Sequence, residues 1–360
     1  MSKEKLMILN MLKEGKITEE EALKLLEAIG ESSDKTADDK FNDLEENVIN
    51  RIANSLERFV KKTTDTISNI DFEEWAAPIG AAVSKYRART EGAISLEIGE
   101  MENPVLNVNN KDGRIQIYTW DNAFIDCKGK ISYDDKLISP DHEFFSMKKE
   151  GNEIHIYPNL PQSGAQPFEL NLQIAVPKKH FGAVKLSTTN GAMEVNQIEA
   201  GYVEMNSTNG RLNLFNASVD EAVLEATNAK IEVVDLEGKK LSAKTMNGKI
   251  ALNGLYVEEA QAESTNGSIA VADISNSLKR LTTTTVNGSI RINIANFVRA
   301  VKADFSKINK YTTKVNLSNR FASIVQGNNE VTAYTDGFNE EDQDALRIEG
   351  STVNGSINVE

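Results

Sequence analysis

The sequence predicts a mainly β protein, a parallel β-solenoid with coils of about nineteen residues that follows a small α-helical N-terminal region. A unit centred on Asn-Gly, most often T-N-G, recurs seven times between residue 186 and the C-terminus, with apolar residues at the same positions in each copy. Before residue 93 the apolar residues instead recur every three or four positions, which is the period of a helix. A fixed repeat of about twenty residues is typical of stacked-repeat folds.

Each copy of the repeat is centred on an asparagine. The first five asparagines are spaced by nineteen residues, the next step is twenty-one and the last is sixty-seven. They are Asn190, Asn209, Asn228, Asn247, Asn266, Asn287 and Asn354. Apolar residues lie six and four positions before the asparagine and three and five after it, as Val203, Met205, Leu212 and Leu214 do around Asn209. These columns are predicted to point inward, and an apolar position eight after the asparagine suggests a short third side.

The inward positions change from even to odd offsets across the Asn-Gly pair, which requires a corner because the side-chain period of a strand is two. Asparagine and glycine tolerate the left-handed backbone of a sharp bend, so left-handed residues are predicted here, although Ala229 replaces the glycine in one copy. A tight hairpin also uses Asn-Gly, and a stack of antiparallel hairpins is the competing geometry. Aligned aliphatic columns, and asparagine amides that can bond along the stack, favour the solenoid.

Hydroxyl-bearing residues come directly before the corner. One stripe lies two positions before the asparagine and has inward parity, so it is predicted to pack at the corner: Thr188, Ser207, Thr245, Ser264 and Thr285. A second stripe lies just before the asparagine and could present a flat ligand platform: Thr189, Thr208, Thr227 and Thr265. The outward columns mix Glu, Lys and small polar residues, which is typical of a solvated surface.

The chain is predicted to divide into four regions, of which the first two are helical. They are a helical hairpin (1–30), a linker with a long amphipathic helix (31–92), a β-rich N-terminal cap with the first coils (93–183), and the repeat solenoid (184–360) with an irregular C-terminal cap around 296–349. Caps are expected at both ends because open solenoid ends expose strand edges.

Helix signals are clear in the N-terminal regions. Gly15 ends the first helix of the hairpin, and a capping box of Thr18 and Glu21 begins the second. Helices this short need a packing partner. The apolar stripe over residues 41–70 is predicted to pack on its own domain or on a second copy of the chain. A membrane-surface helix over 41–75 is the alternative, although its mixed polar face differs from the basic face typical of such helices.

Composition excludes several classes of protein. The formal net charge of −14 argues against nucleic acid and anionic lipid as bulk partners. Cys127 is the sole cysteine of the sequence, so neither an intrachain disulfide nor a Cys-based zinc site can form, and the residue is predicted to pack in a strand. The sequence has no signal-peptide pattern and no run of about 18 apolar residues, which predicts a cytoplasmic protein.

No catalytic, cofactor-binding or metal-binding residues are predicted, and the protein is expected not to be an enzyme. His142, His155 and His180 lie outside the repeats with no motif spacing, so structural roles are expected for them. A polysaccharide-active β-helix enzyme is a remote alternative. It would need paired carboxylates on one outer face, and no acidic pair recurs in the outward columns.

Several stretches resemble one bacterial family. GRIQIYTWDN (113–122), the Val-Pro-Lys entry at 176–178 and the repeated T-N-G-x-I-x-V unit are similar to the bacterial adhesin-like β-solenoid domain of unknown function. ILNMLKEGKITEEEALKLLEAIG (8–30) resembles the helical hairpin that precedes this domain in YvlB- and LiaX-like proteins of Gram-positive bacteria. The resemblance implies a non-catalytic protein of the cell-envelope stress response that senses membrane-active antimicrobial peptides with a LiaFSR-type signalling system.

Two functions remain open at this level. In the first, the protein is a binding or regulatory module: its helices contact an envelope membrane protein or a second copy of the chain, and its solenoid contacts a peptide, lipid or envelope polymer. In the second, it is a structural or adhesin-like spacer. The N-terminal helices favour the first function, because a spacer would not need them. The family resemblance also implies a membrane-associated or cell-surface location as an alternative to the cytoplasm.

Overall fold

A computed structural model describes residues 88–161, 168–306 and 313–360 of the chain. Within these ranges the regular elements are all β-strands, which confirms the mainly β prediction. The predicted helical hairpin (1–30), and residues 31–87 of the predicted region of linker and amphipathic helix (31–92), lie outside the described residues. The first strand begins at Ala88, earlier than the predicted start of the β region at residue 93.

The structure contains twenty-three strands within the described ranges. In chain order they are β1 (Ala88–Glu97), β2 (Val105–Asn109), β3 (Ile115–Trp120), β4 (Phe124–Tyr133), β5 (Phe145–Glu150), β6 (Glu153–Pro158), β7 (Phe168–Pro177), β8 (His180–Thr188), β9 (Met193–Asn196), β10 (Glu199–Ser207), β11 (Leu212–Ala226), β12 (Ile231–Thr245), β13 (Ile250–Tyr256), β14 (Glu259–Ser264), β15 (Ile269–Ile274), β16 (Arg280–Asn287), β17 (Ile290–Ile292), β18 (Val301–Ser306), β19 (Lys314–Leu317), β20 (Phe321–Gln326), β21 (Glu330–Thr335), β22 (Leu346–Asn354) and β23 (Ser356–Val359).

The strands form two faces that meet at the Asn-Gly corner. Face A holds the strand segments before each asparagine, in the order β5-β6-β2-β8-β10-β11-β12-β14-β16-β22-β18-β21-β20. Face B holds the segments after it, in the order β1-β4-β7-β3-β9-β11-β12-β13-β15-β17-β23-β19. The long strands β11 and β12 pass around the opposite corner and belong to both faces.

Successive coils pair in parallel with a shift of one repeat. Met205 of β10 lies opposite Leu224 of β11, and Leu224 lies opposite Ala243 of β12. The strands on either side of the Asn209-Gly210 corner pair with the neighbouring coils. The predicted parallel solenoid is therefore confirmed for the described coils, and the stack of antiparallel hairpins is excluded.

The predicted inward columns form the core. Val203, Met205, Leu212 and Leu214 are all 0% exposed. The position eight after the asparagine is also buried in each coil, at Ile198, Ala217, Leu236, Leu255 and Ile274. Each fully buried aliphatic side chain contributes about 1.5–3 kcal/mol relative to exposure, so the columns are the main source of cohesion between coils.

The predicted left-handed backbone at the Asn-Gly corner is wrong, since no asparagine or glycine of the repeat has a positive φ there. The left-handed residues lie at the opposite corner, seven positions after the asparagine: Gln197 (58°), Asn216 (50°), Asp235 (53°), Gly254 (66°) and Asp273 (51°). The glycine of the Asn-Gly pair is required for a different reason. A Cβ on Gly248 would lie 1.9 Å from the carbonyl oxygen of Ala229 in the preceding coil. Glycine therefore occurs at this position because the backbones of adjacent coils approach too closely for a side chain.

At both ends the order of coils in the stack differs from their order in the chain. The coil of β2 and β3 lies between that of β8 and β9 and that of β6 and β7. The C-terminal coil of β22 and β23 lies between that of β16 and β17 and that of β18 and β19. Asn354 thus stacks on Asn287 although sixty-seven residues separate them in sequence.

Candidate binding surfaces

The asparagines of the repeat form a continuous ladder along the Asn-Gly corner. Each Nδ2 donates to the Oδ1 of the preceding asparagine at 2.8–3.0 Å, from Asn209 to Asn354. The ladder begins at Asp112, whose Oδ1 accepts from Asn190 at 2.7 Å. The expectation that these amides bond along the stack is confirmed, and the asparagine in each coil is scaffold.

The stripe two positions before the asparagine is inward, as its parity predicts. Its hydroxyls donate to corner carbonyls of the preceding coil, for example Ser264 to Gly248 at 3.0 Å and Thr285 to Gly267 at 2.9 Å. Thr188, Ser207, Thr245, Ser264 and Thr285 are at most 3% exposed. These residues donate hydrogen bonds to backbone carbonyls that would otherwise be buried without a partner. Only the second stripe, the partly exposed threonines just before the asparagine, could still form a ligand platform.

Face A carries a shallow groove of about 390 Å³ on its outer side. Short and neutral side chains floor it along the stack: Val223, Ser242, Gln261 and Thr282. Charged side chains line one wall: Glu221, Lys240, Glu259 and Arg280. The Lys240 and Glu259 side chains lie 3.8 Å apart, and Arg280 Nη1 lies 3.0 Å from Glu349, so these three wall residues take part in ion pairs.

Two carboxylates on the outer side of face A are more enclosed than a solvated surface predicts. Glu263 is 1% exposed, accepts from Gln261 Nε2 at 2.6 Å and lies 3.7 Å from Lys244 Nζ. Glu204 is 7% exposed and accepts from Asn206 Nδ2 at 2.9 Å. The expectation of a freely solvated outer column is wrong at these positions, because amide side chains two residues away on the same strand lie against the carboxylates.

The pKa of Tyr202 reflects its burial and the carboxylates around it on face A. Burial of the phenol, together with the nearby carboxylates of Glu204, Glu221 and Glu225, raises the pKa of Tyr202 to about 12. Its hydroxyl lies 3.5 Å from Glu204 Oε2. An anionic tyrosinate is disfavoured there by both desolvation and like charge.

The histidines are dispersed over the N-terminal strands and the segments beside them, and do not converge on one site. His142 Nε2 lies 2.9 Å from the carbonyl of Asn159, and His180 Nδ1 lies 3.0 Å from Asn103 Oδ1. His155 lies on β6 beside Glu153, at 3.3 Å. Among residues 88–161, 168–306 and 313–360 no group of three or more His, Cys, Asp or Glu is placed to hold a metal ion.

The acidic loop 339–344 is tied to the C-terminal coils through Glu340. Its carboxylate lies 2.7 Å from Lys302 Nζ on β18 and 3.0 Å from Arg347 Nη1 on β22. Hydrogen bonds from these two cations lower the pKa of Glu340 from its usual value. The loop thus bridges two neighbouring coils.

No helix within the described ranges has the length and apolarity to cross a membrane.

Cys127 is fully buried in β4, as predicted for a packed strand residue. Burial, and secondarily the Asp126 carboxylate, raises the pKa of Cys127 to about 12. At pH 8 the folded protein should therefore react with a small thiol reagent roughly a hundredfold or more slowly than the unfolded chain. Mass spectrometry after timed alkylation, with and without denaturant, measures the difference. Complete labelling of the native protein within minutes would contradict the buried position.

Two family profiles match the sequence. The Toastrack DUF4097 profile matches residues 161–358, and a SHOCT-like domain profile matches residues 3–34. The second match coincides with the predicted helical hairpin (1–30), which lies outside the described residues. No curated protein matches the chain at a significant level.

Several solved structures of bacterial proteins match this chain at low sequence identity. One is described as a "putative cell adhesion protein" from Clostridium sporogenes ATCC 15579, with 15% identity, coverage of 76% of this chain and 99% of that chain, and a TM-score of 0.29. A "putative adhesin" from Bacteroides fragilis NCTC 9343 has 11% identity, coverage of 75% and 97%, and a TM-score of 0.43. A "putative adhesin" from Parabacteroides distasonis ATCC 8503 has 12% identity, coverage of 76% and 97%, and a TM-score of 0.42.

Proposed function

Because this chain belongs to the Toastrack DUF4097 family, we propose that it is an adhesin-like, non-catalytic binding protein that acts in the bacterial cell-envelope stress response. In this proposal the solenoid takes up a cationic, membrane-active peptide, as a YvlB- or LiaX-like protein would. The N-terminal region then contacts an envelope membrane protein, which brings the protein to the envelope when peptide is present. The resemblance of residues 8–30 and of the T-N-G unit supports this assignment.

The charge on the outer side of face A, around the groove, is the observation that carries the proposal. Across β10, β11, β12, β14 and β16 the outward positions hold five carboxylates against three cations, a formal excess of two negative charges. The carboxylates are Glu204, Glu221, Glu225, Glu259 and Glu263, and the cations are Lys240, Lys244 and Arg280. Burial is the main cause of the raised pKa of Tyr202, and the nearby carboxylates add to it.

The shape of the groove suits an elongated ligand. It runs along the stack, across four strands, and its floor of short side chains leaves room for the apolar side chains of an amphipathic peptide. The exposed carboxylates at the wall would attract the peptide's cations over a Debye length and set its orientation. Uptake of this kind needs no convergent catalytic set.

The double variant Glu221→Gln/Glu259→Gln should bind a cationic amphipathic peptide about three- to tenfold more weakly than the parent chain at low salt, because both exposed carboxylates of the wall are neutralised. Fluorescence anisotropy of a labelled peptide against the full chain measures the affinity. The isosteric substitutions leave the core columns untouched, so the melting temperature should not change.

A matched variant on the other face is Lys230→Gln/Lys249→Gln. It changes the same number of charges and should leave peptide affinity unaltered or slightly improved, because it removes positive charge. If the parent and the Glu221→Gln/Glu259→Gln chain bound the peptide with equal affinity, the groove would not be the peptide site.

In cells, fractionation with and without an envelope-active peptide tests the wider role, which fails if the protein stays cytosolic with unchanged partners.

A structural spacer of adhesin type is the second candidate function. The uninterrupted asparagine ladder from Asp112 to Asn354 favours it, because such a ladder is suited to a stiff stack. A spacer should show no peptide affinity above that of an unrelated acidic protein. The same anisotropy titration therefore separates the two candidates.

A further inference from the structure

The outer side of face B carries a line of cations along the stack. The strand registers from β4 to β19 align the residues two after each asparagine, and their equivalents, one in each coil. In stack order they are Lys130, Asn171, Arg114, Ala192, Arg211, Lys230, Lys249, Ser268, Ser289, Ser356 and Lys314, here named the basic column. From β4 to β19 it contains six cations and no carboxylate, on a chain with 54 acidic and 40 basic residues, while Glu91 of the edge strand β1 lies opposite Lys130.

We propose that the basic column binds a linear phosphate-rich polyanion that lies along the stack axis. Arg114, Arg211 and Lys249 are exposed, and Lys230 is partly exposed. Arg211, Lys230 and Lys249 come from three consecutive coils, so their backbone positions span about 10 Å at the usual strand spacing. This site differs from the face A groove in location and in the charge of its ligand, and it goes beyond the proposed function.

Charges in the two flanking columns reduce the positive potential without cancelling it. The column of the asparagines adds Asp112 and Glu169, and the column two residues further into face B adds Lys128, Glu194, Glu232 and Arg291. The three columns together hold eight cations and four carboxylates, while the whole chain has a net charge of −14. Lys230 Nζ lies 2.6 Å from Glu232, so the other cations carry more of the free charge.

The corner beside the basic column uses its hydrogen-bond acceptors internally. Asparagine Oδ1 atoms accept from the next amide, as Asn209 does from Asn228 at 3.0 Å. The carbonyl before each asparagine accepts from the next coil, as Thr208 does from the Asn228 N–H at 2.8 Å. The inward hydroxyls donate to corner carbonyls, as Ser264 does to that of Gly248. Each ladder amide has a second N–H, so the surface offered to a ligand is rich in donors, which suits an anion.

The composition of these columns favours a phosphate polymer over a nucleic acid or a bilayer. None of the three columns from β4 to β19 contains an aromatic side chain within the described residues, so bases have no stacking platform. Their apolar members are alanines, Ala192, Ala251 and Ala270, which cannot insert into a membrane interface. A line of cations one residue wide instead matches a single unbranched chain of anions.

Binding of the full-length chain to long-chain inorganic polyphosphate tests the proposal, with orthophosphate as the monomeric comparison. We expect polyphosphate to bind at about 50 mM salt and orthophosphate not to bind measurably, because the contacts are additive along the polymer. The variant Arg211→Gln/Lys230→Gln/Lys249→Gln should lower polyphosphate affinity at least tenfold. It should also reduce the slope of log K against log salt by about two to three, at roughly 0.7–0.9 per lost contact.

A triple variant of equal charge change, Lys185→Gln/Lys239→Gln/Lys279→Gln, removes exposed lysines away from the basic column and should retain the affinity. Equal losses in the two triple variants, or no binding to polyphosphate by the parent, would overturn the proposal. Equal affinity for single-stranded DNA of matched charge, or for anionic vesicles without polymer binding, would overturn the assignment to a phosphate polymer. Peptide binding at face A is measured separately, so failure here leaves that result unaffected.

Discussion

Replacing Ile250 with aspartate should lower the free energy of unfolding by about 4 kcal/mol or more, through an unpaired charge in the core and the loss of aliphatic packing. Ile250 is 0% exposed and lies between Ile231 and Ile269 of the adjacent coils. A charge at this point disturbs three coils at once, because the column is continuous. Thermal and urea unfolding followed by circular dichroism measure the change.

The neighbouring residue supplies a matched control. Ala251 lies on the same strand, β13, but its side chain is on the outer side and partly exposed. Ala251→Asp should therefore shift the melting temperature by only a few degrees, since the new carboxylate stays hydrated. If both aspartate variants melted at the temperature of the parent chain, position 250 would not be inward.

Removing residues 346–360 should prevent stable folding of the C-terminal third of the solenoid. β22 and β23 lie inside the stack, between the coil of β16 and β17 and that of β18 and β19, so their loss opens two interfaces. The segment buries Leu346, Ile348, Val353, Ile357 and Val359. At about 1.5–3 kcal/mol for each side chain, the lost burial is on the order of 10 kcal/mol, which equals the stability of a typical domain.

Limited proteolysis of the chain ending at residue 345, with circular dichroism, checks this expectation. Cleavage should begin within residues 296–335, where β18 and β19 lose their parallel partners β22 and β23. A synthetic peptide of residues 346–360 added in excess should restore part of the protection, which distinguishes loss of a stacking coil from a general folding defect. A truncated chain that melts cooperatively at the parent temperature would show that the C-terminal coil is not internal to the stack.

The repeat period determined much of the fold from the sequence alone. A shift of nineteen residues puts chemically equivalent side chains above one another, so the aliphatic columns, the inward hydroxyls and the asparagine ladder follow from parity and spacing. The left-handed corner was missed because the Asn-Gly pair has two other roles, the ladder and close approach. The residues seven after the asparagine, including Asn216, Asp235 and Gly254, carried the signal that could have found it.

What only the tertiary structure decided is the placement of strands that lie outside the regular spacing of nineteen residues. Sequence spacing does not reveal that the last copy, centred on Asn354, stacks on Asn287, because long-range pairing depends on which edges are free after the intervening strands fold. The basic column likewise depends on non-local pairing. Lys130 lies in it because β4 pairs antiparallel with β7, and Arg114 lies in it because its coil is inserted out of chain order. The sequence alone therefore determined the interior of each coil, where parity and burial act locally. The outer surfaces depend on non-local strand order, which decides which charges become neighbours.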